Sequence, residues 1–325
     1  MAHSRRGRRR VRGQKRWGGR VLLILIVICS IFYLYPLGKS WMIANYESLH
    51  GEPGENKITT SVADSEMPIH SRCAILIDLK DRRILYEKES EEKVYPASLT
   101  KIMTVIVAIE NMPDLQKKFT LSARIFKQLN EEGASMAGFI PDEKVKGIDL
   151  LYGAMLPSGA DATGGLAFTV ADSEEDFVKL MNEKAQALGM KETHFENVNG
   201  LQAKDHYTTV QDLALLLKYA LQNPTFREIF TSAKHVVAPT NKHPDGITFY
   251  STLFQEMGEG TFNGGKIIGG KTGYTKEAGL CLASLAERND NREYLLITAG
   301  AKGDHQTEQY NISDALSLYS KYLSR

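Results

Sequence analysis

The hydrophobic repeat of this chain changes twice, and the two changes restrict the folds open to it. Residues 72–78 and 83–86 read as a β-hairpin turned at Asp81. From Ser98 onward the apolar positions fall three and four apart, as at Ile102, Val105, Ile106 and Ile109, which is the helical period, so Ser98 is expected to open a buried helix. Helices are expected over 121–129, 149–155, 162–169, 173–188 and 209–221, the last two opened by the cap pairs Ser173/Asp176 and Thr209/Asp212. The last third returns to strands, at 266–271, 280–287 and 294–301, the final two joined through Asn289-Asp290-Asn291, before a helix over 312–322. Strands at both ends around a helical middle predict an α+β fold. One antiparallel sheet is assembled from the N- and C-terminal segments, and the middle region is mainly helical.

The first residues cannot belong to that fold. Nine Arg and Lys and no acid lie within residues 1–20, and residues 21–37 read VLLILIVICSIFYLYPL, uncharged and about long enough to cross a bilayer. A basic block could serve nucleic acid, but basic residues before an apolar run and aromatics after it (Tyr33, Tyr35, Trp41) describe a membrane segment whose N-terminus stays in the cytoplasm. The expected organisation is a cytoplasmic tail (1–20), a transmembrane helix (21–38), an extracytoplasmic spacer (39–67) and a catalytic domain (68–325). An uncleaved anchor is favoured over a cleaved secretion signal, since no small-x-small site follows Leu37. Beyond residue 20 the chain holds 31 bases against 39 acids, a net charge of about −8, so the exported part is acidic and nucleic acid is not expected as a partner. Three cysteines make no disulfide framework; Cys29 lies in the apolar segment, and Cys73 and Cys281 are expected as buried free thiols.

Three short elements carry the chemistry. In Tyr95-Pro96-Ala97-Ser98-Leu99-Thr100-Lys101 a loop gives way to a helix, and three residues bring the Lys101 amine onto the Ser98 face. That is a nucleophile with a base beside it. The same spacing recurs at Ser90 and Lys93 in a charged run, so the pattern gains its meaning from context: Lys101 precedes an apolar helix face, where a solvated amine is out of place. Gly269-Gly270-Lys271-Thr272-Gly273-Tyr274-Thr275 ends an expected strand, its glycines leaving the backbone open to close approach. Between them Ser158, in Leu156-Pro157-Ser158-Gly159-Ala160-Asp161, stands at the mouth of a helix, where it can equally be an N-cap.

Ser98-x-x-Lys101, a Ser-x-Asn-like element at Ser158 and Lys271-Thr272-Gly273, in that order, resemble the penicillin-recognising serine enzymes. Asn197-Val198-Asn199-Gly200-Leu201, His206-Tyr207-Thr208-Thr209 and Asp212-Leu213-Ala214 resemble, within that group, the low-molecular-weight penicillin-binding proteins that are serine D-Ala-D-Ala carboxypeptidases. The likeness runs from about residue 68 to the C-terminus. It implies a β-lactamase/transpeptidase-like fold and an enzyme that removes the terminal D-alanine from peptidoglycan stem pentapeptides through an acyl-enzyme, with β-lactam antibiotics as inhibitors. Ser98 is then the nucleophile, Lys101 the general base and Ser158 the proton relay to the leaving D-alanine. Lys271 and Thr272 hold the substrate carboxylate. The N–H groups of Ser98 and Tyr274 form the oxyanion hole, and Gly273, Asp161 and Thr275 complete the substrate site. A free lysine has a pKa near 10.4; two ammonium groups about 4 Å apart at an effective dielectric near 20 repel by roughly 4 kcal/mol, so Lys271 is expected to lower that of Lys101, with burial adding to it.

This chain departs from the family pattern in three places. Ala160 stands where the family usually has Asn; the missing amide costs roughly 1.5–3 kcal/mol, with Asp161 or a water expected to substitute in part. The segment Ala301-Lys302-Gly303-Asp304-His305, after the strand ending at Gly300, holds none of the arginine that many relatives offer the substrate carboxylate, which leaves Lys302 or His305 for it, or nothing. The chain stops after the catalytic domain, without the C-terminal β-domain and amphipathic helix of many relatives, which fits an anchor moved to the N-terminus. Two other classes compete: a membrane-anchored peptidoglycan- and penicillin-binding protein with weak or no turnover because of Ala160, and a β-lactamase-like hydrolase, for which no Glu-x-x-Leu-Asn is present. The eight histidines are scattered, with His235 and His243 flanking a Pro-rich loop, so neither metal nor other cofactor is expected. His206 is expected to fix a turn by hydrogen bonding.

Overall fold

The computed structural model describes residues 59–60, 67–129 and 134–324, all within one compact unit. The expected cytoplasmic tail and the transmembrane segment at 21–38 lie outside the described residues, as do residues 39–58 and 61–66 of the expected spacer. Among the described residues no helix is long and apolar enough to cross a membrane.

The strands are β1 (Thr59–Thr60), β2 (Cys73–Asp78), β3 (Arg83–Lys88), β4 (Lys118–Thr120), β5 (Lys144–Lys146), β6 (Lys234–Val237), β7 (Ile247–Tyr250), β8 (Thr261–Phe262), β9 (Gly265–Thr275), β10 (Gly279–Arg288) and β11 (Glu293–Ala301). The helices are α1 (Thr100–Asn111), preceded by a 3-10 turn at Ala97–Leu99, α2 (Ala123–Leu129), α3 (Gly147–Met155), α4 (Ala160–Ala171), α5 (Glu174–Ala187), α6 (Val210–Ala220), α7 (Pro224–Phe230), α8 (Thr252–Glu256) and α9 (Tyr310–Leu323). Seven strands form one sheet in the order β1-β3-β2-β11-β10-β9-β8, joining the two ends of the sequence as the period changes predict. Every pairing in it is antiparallel except the outermost, where β1 runs parallel to β3. The expected spacer therefore contributes a strand at Thr59–Thr60.

Both faces of the sheet are covered. Along β2, Cys73, Ile75 and Ile77 join the core under the helical middle, while Ala74 and Leu76 join the core under α9 with Leu318 and Tyr319. Side chains alternate between faces with period two, and since both faces are dry the strand reads as continuous apolar sequence. Asp314 of α9 accepts from His70 N (3.0 Å), Ser71 N (2.7 Å) and Ser71 Oγ (2.6 Å), tying the entry to β2 onto the last helix. The turn between β2 and β3 is held by Asp78, whose Oδ1 accepts from Lys80 N and Asp81 N. Helix α1 is the axis of the helical region: Thr100 through Ala108 are all buried, so it has no solvated face along that stretch and is the buried helix expected after Ser98. The expected caps are present, with Ser173 Oγ accepting from Asp176 N and Thr209 Oγ1 from Asp212 N; each such cap contributes about 1 kcal/mol.

Candidate active site

Three segments converge at the N-terminal end of α1. The turn carrying Ser98 is strained: Ala97, a non-glycine residue, has φ +46°, and Ser158 itself has φ +63°. Such conformations cost on the order of 1–3 kcal/mol and persist only where the surroundings impose them. What imposes the first is visible in two glycines. A Cβ on Gly200 (φ +85°) would sit 1.8 Å from Ala97 O, and one on Gly273 would sit 3.1 Å from Ser98 N. The 197–201 loop and strand β9 therefore press their backbones against the Ser98 turn from two sides; at Gly200 only glycine permits the approach, and at Gly273 a Cβ would be tight.

Ser98 Oγ receives two hydrogen bonds, from Lys101 Nζ at 2.9 Å and from Ser158 Oγ at 2.9 Å. Lys101 is 3% exposed and also donates to Asn199 O at 2.6 Å. Burial holds its pKa well below the usual lysine value; the Lys271 charge lowers it further and Asp161 partly opposes both. The expected order of causes is thus reversed, with burial first and Lys271 second, because α1 is enclosed on all sides at this level. Lys271, 1% exposed, is itself brought down to about 7 by burial, with Glu256 acting in the other direction, and its Nζ donates to Thr272 O at 2.9 Å.

Ser158 is not an N-cap. The α4 cap is Gly159, with no side-chain cap bond, and Ser158 turns to Ser98 instead. Asp161 does not take the place of the missing amide. It is fully buried with its carboxylate directed at the 137–139 backbone, Oδ1 accepting from Ala137 N (2.7 Å) and Oδ2 from Gly138 N (3.0 Å) and Phe139 N (2.9 Å). Its role is to hold that loop beside the site, and Asn199 O is the extra partner of Lys101.

Ser98 opens into two adjoining cavities. One, of about 340 Å³, is lined among others by Lys101, Ser135, Ala160, Asn199, Tyr274 and Thr275. The other, of about 90 Å³, lies toward Ser158, Thr252, Glu256, Thr272 and Gly273. His305 lines both and meets the Tyr274 ring edge-on at 5.0 Å, whereas Lys302 faces a different cavity; of the two expected substitutes for the arginine, only His305 is in the cleft. Thr272 Oγ1 hydrogen-bonds Thr252 Oγ1 at 2.7 Å. The Lys-Thr-Gly element lies inside β9, which continues to Thr275, and does not end the strand.

Sequence reasoning missed Asn199 O, Thr252 and Glu256. The first is a backbone atom that no side-chain pattern reveals, although the 197–201 segment stands out in the sequence; the other two lie on α8, too short at five residues to show a period. Among the described residues no group of three His, Cys, Asp or Glu is placed to hold a metal ion. His235 and His243 each pair with a single carboxylate, Asp149 at 2.8 Å and Glu143 at 2.9 Å, and His235 lies on the hairpin strand that leads into the loop. His206 Nε2 meets Thr100 Oγ1 at 2.8 Å and its Nδ1 accepts from Glu196 N at 3.1 Å, a positioning link between α1 and the following loop. Cys73 and Cys281 are buried free thiols.

Residues 59–303 match the family model described as D-alanyl-D-alanine carboxypeptidase. D-alanyl-D-alanine carboxypeptidase DacF of Bacillus subtilis is 30% identical over 233 residues, covering 72% of this chain and 58% of that protein. D-alanyl-D-alanine carboxypeptidase DacC of Escherichia coli is 31% identical over 244 residues, covering 73% and 58%. The chain thus spans a little over half the length of these curated relatives. The crystal structure of the Streptomyces K15 DD-transpeptidase superposes with a TM-score of 0.70 at 26% identity, covering 79% of this chain and 99% of that one.

Proposed function

The chain belongs to the D-alanyl-D-alanine carboxypeptidase family, and we propose that it is a penicillin-sensitive serine peptidase acting on peptidoglycan stem peptides that end in D-Ala-D-Ala. The observation that carries the reading is the position of Ser98 Oγ, 2.9 Å from both Lys101 Nζ and Ser158 Oγ. With its pKa lowered, Lys101 is neutral over a wider range of pH, and the neutral amine accepts the Ser98 proton as Oγ bonds to the penultimate alanine carbonyl carbon. The N–H groups of Ser98 and Tyr274 stabilise the oxyanion where charge develops. The C–N bond then breaks, Ser158 passes its proton to the leaving D-alanine nitrogen and takes one from the Lys101 ammonium, which leaves Lys101 neutral again, and Lys271 and Thr272 hold the leaving carboxylate. Water, activated by the same lysine, hydrolyses the ester and restores Ser98.

Ala160 favours a second reading, a peptidoglycan- and penicillin-binding protein with little turnover, because position 160 supplies no side-chain amide to the cavity it shares with Lys101. Intact-mass measurement tests the shared step. A single covalent penicillin adduct on the wild-type chain, absent from Ser98→Ala, supports acylation at Ser98; no adduct on a folded wild-type chain contradicts both readings.

The basic residues before 21 and the uncharged apolar run after them support a single-pass anchor with the peptidase outside the membrane. Retention in the membrane after carbonate washing, lost on deleting 1–38, is the expected behaviour. A chain recovered shortened and soluble would show a cleaved signal instead.

A further inference from the structure

A third cavity, of about 640 Å³, gathers Arg72, Lys93, Lys204, Lys276 and Lys302 around two carboxylates, Glu92 and Glu277. Glu92 is taken up by Arg72 at 3.4 Å, and Lys93 is engaged by Glu192 at 3.0 Å and by the Tyr207 ring at 4.1 Å. Lys204, Lys276 and Lys302 are exposed and, among the described residues, make no ion pair. Beyond residue 20 the chain is acidic overall, so three uncommitted ammonium groups around one concavity run against its charge. A concave site lined by one sign of charge concentrates ligands of the other.

Strand β9 gives that concavity its address. β8 pairs only with Gly265 and Lys266, so the β9 edge at 271–275 is free, and it faces Ser98. On the peptidase reading proposed above, the donor's C-terminal carboxylate lies at Lys271 and Thr272 and its scissile carbonyl at Ser98 and Tyr274. An extended peptide on this edge then runs antiparallel to β9, and its upstream residues pass Thr275 toward the turn at 276–278. At about 3.3 Å per residue, the second and third residues upstream of the reacting D-alanine reach roughly 7–10 Å further. There Lys276, Glu277 and Ala278 form the wall of the basic cavity.

We propose that this cavity is an upstream subsite for carboxylates, with Lys204, Lys276 and Lys302 as its cations, so that donors bearing free acids before the reacting D-alanine are preferred over their amides. The inference rests on the carboxypeptidase reading. Two measurements on the full-length, detergent-solubilised chain separate its failure from the failure of that reading.

The first is kcat/KM for L-Ala-γ-D-Glu-L-Lys-D-Ala-D-Ala against the same peptide with the glutamyl α-carboxylate amidated. The expected preference for the acid is about five- to tenfold at low salt, falling toward unity in about 0.5 M salt. In Lys204→Gln/Lys276→Gln the ratio itself falls, whereas mere structural damage lowers both rates together and leaves the ratio standing. The second is anisotropy binding of the two labelled peptides to Ser98→Ala, which needs no turnover. Tighter binding of the acid, lost in the double lysine variant, supports the subsite even if no peptide is hydrolysed. Equal affinity for acid and amide, or a ratio the lysine substitutions leave unchanged, overturns it.

Discussion

Lys101 and Lys271 lie within electrostatic reach of one another beneath the Ser98 turn, and Lys271 lowers the pKa of Lys101 after burial has already done so. A general base must be deprotonated, so kcat/KM gains activity as pH rises through the lowered Lys101 value. Removing the neighbouring positive charge favours the protonated amine. In Lys271→Gln the rising limb therefore moves to higher pH, yet stays below the ordinary lysine value, since burial is the larger cause. A pH profile of acylation by a chromogenic penicillin measures this. A limb that stays in place would mean that the two charges do not interact.

Lys271 also titrates near neutrality, at about 7. On the role proposed for Lys271, carboxylate binding needs the charged form, so kcat/KM of the free enzyme is expected to fall as pH rises past that value. The optimum lies between the two limbs.

Ala160 leaves Lys101 with Ser98 Oγ and Asn199 O as its hydrogen-bond partners. Ala160→Asn supplies an amide into the 340 Å³ cavity that Ala160 lines. One hydrogen bond to a charged or reacting group is worth roughly 1.5–3 kcal/mol, so the turnover rate is expected to rise by about 10- to 150-fold. Steady-state release of D-alanine checks it, and an unchanged or lower rate would show that the chain has settled its lysine without the amide.

Gly200→Ala tests whether the 197–201 loop builds the nucleophile turn. Its Cβ meets Ala97 O at 1.8 Å on a backbone at φ +85°, so the loop must withdraw and take Asn199 O from Lys101. Penicillin acylation should fall at least tenfold and stability by about 2–4 kcal/mol. An unaffected acylation rate would remove that loop from the mechanism.

His206 supplies an acid-sensitive stability. Its pKa is lowered from 6.5 to about 4 by burial, so the fold holds it neutral while the unfolded chain protonates it. The stabilisation is complete above pH 6.5 and is lost as pH falls toward 4, by roughly 3 kcal/mol at one pKa unit per 1.36 kcal/mol. Urea midpoints across that window should fall in wild type and flatten in His206→Gln; parallel curves would contradict the assignment.

Much of this was legible in the sequence because the principal elements are long and their periods clear. β2, β10, β11 and helices α5 and α6 lie within a residue or two of where the pattern puts them. What escaped is short. The two-stranded sheets β4–β5 and β6–β7 have strands of three or four residues, too few to show alternation. Helix α7 did carry a signal, with Asn223 capping and Pro224 at its first turn. In the site, Ser98, Lys101, Ser158 and Lys271 announced themselves by type and order. Asp161 misled, since a carboxylate serving four backbone N–H groups reads in sequence like one facing the cleft.

The measurement closest to the central claim is D-alanine release from diacetyl-L-Lys-D-Ala-D-Ala by the full-length chain, beside Ser98→Ala and with folding of both confirmed by circular dichroism. The account predicts steady release by the wild-type chain and none by the variant. A folded wild-type chain that releases no D-alanine, or a variant that still does, contradicts it.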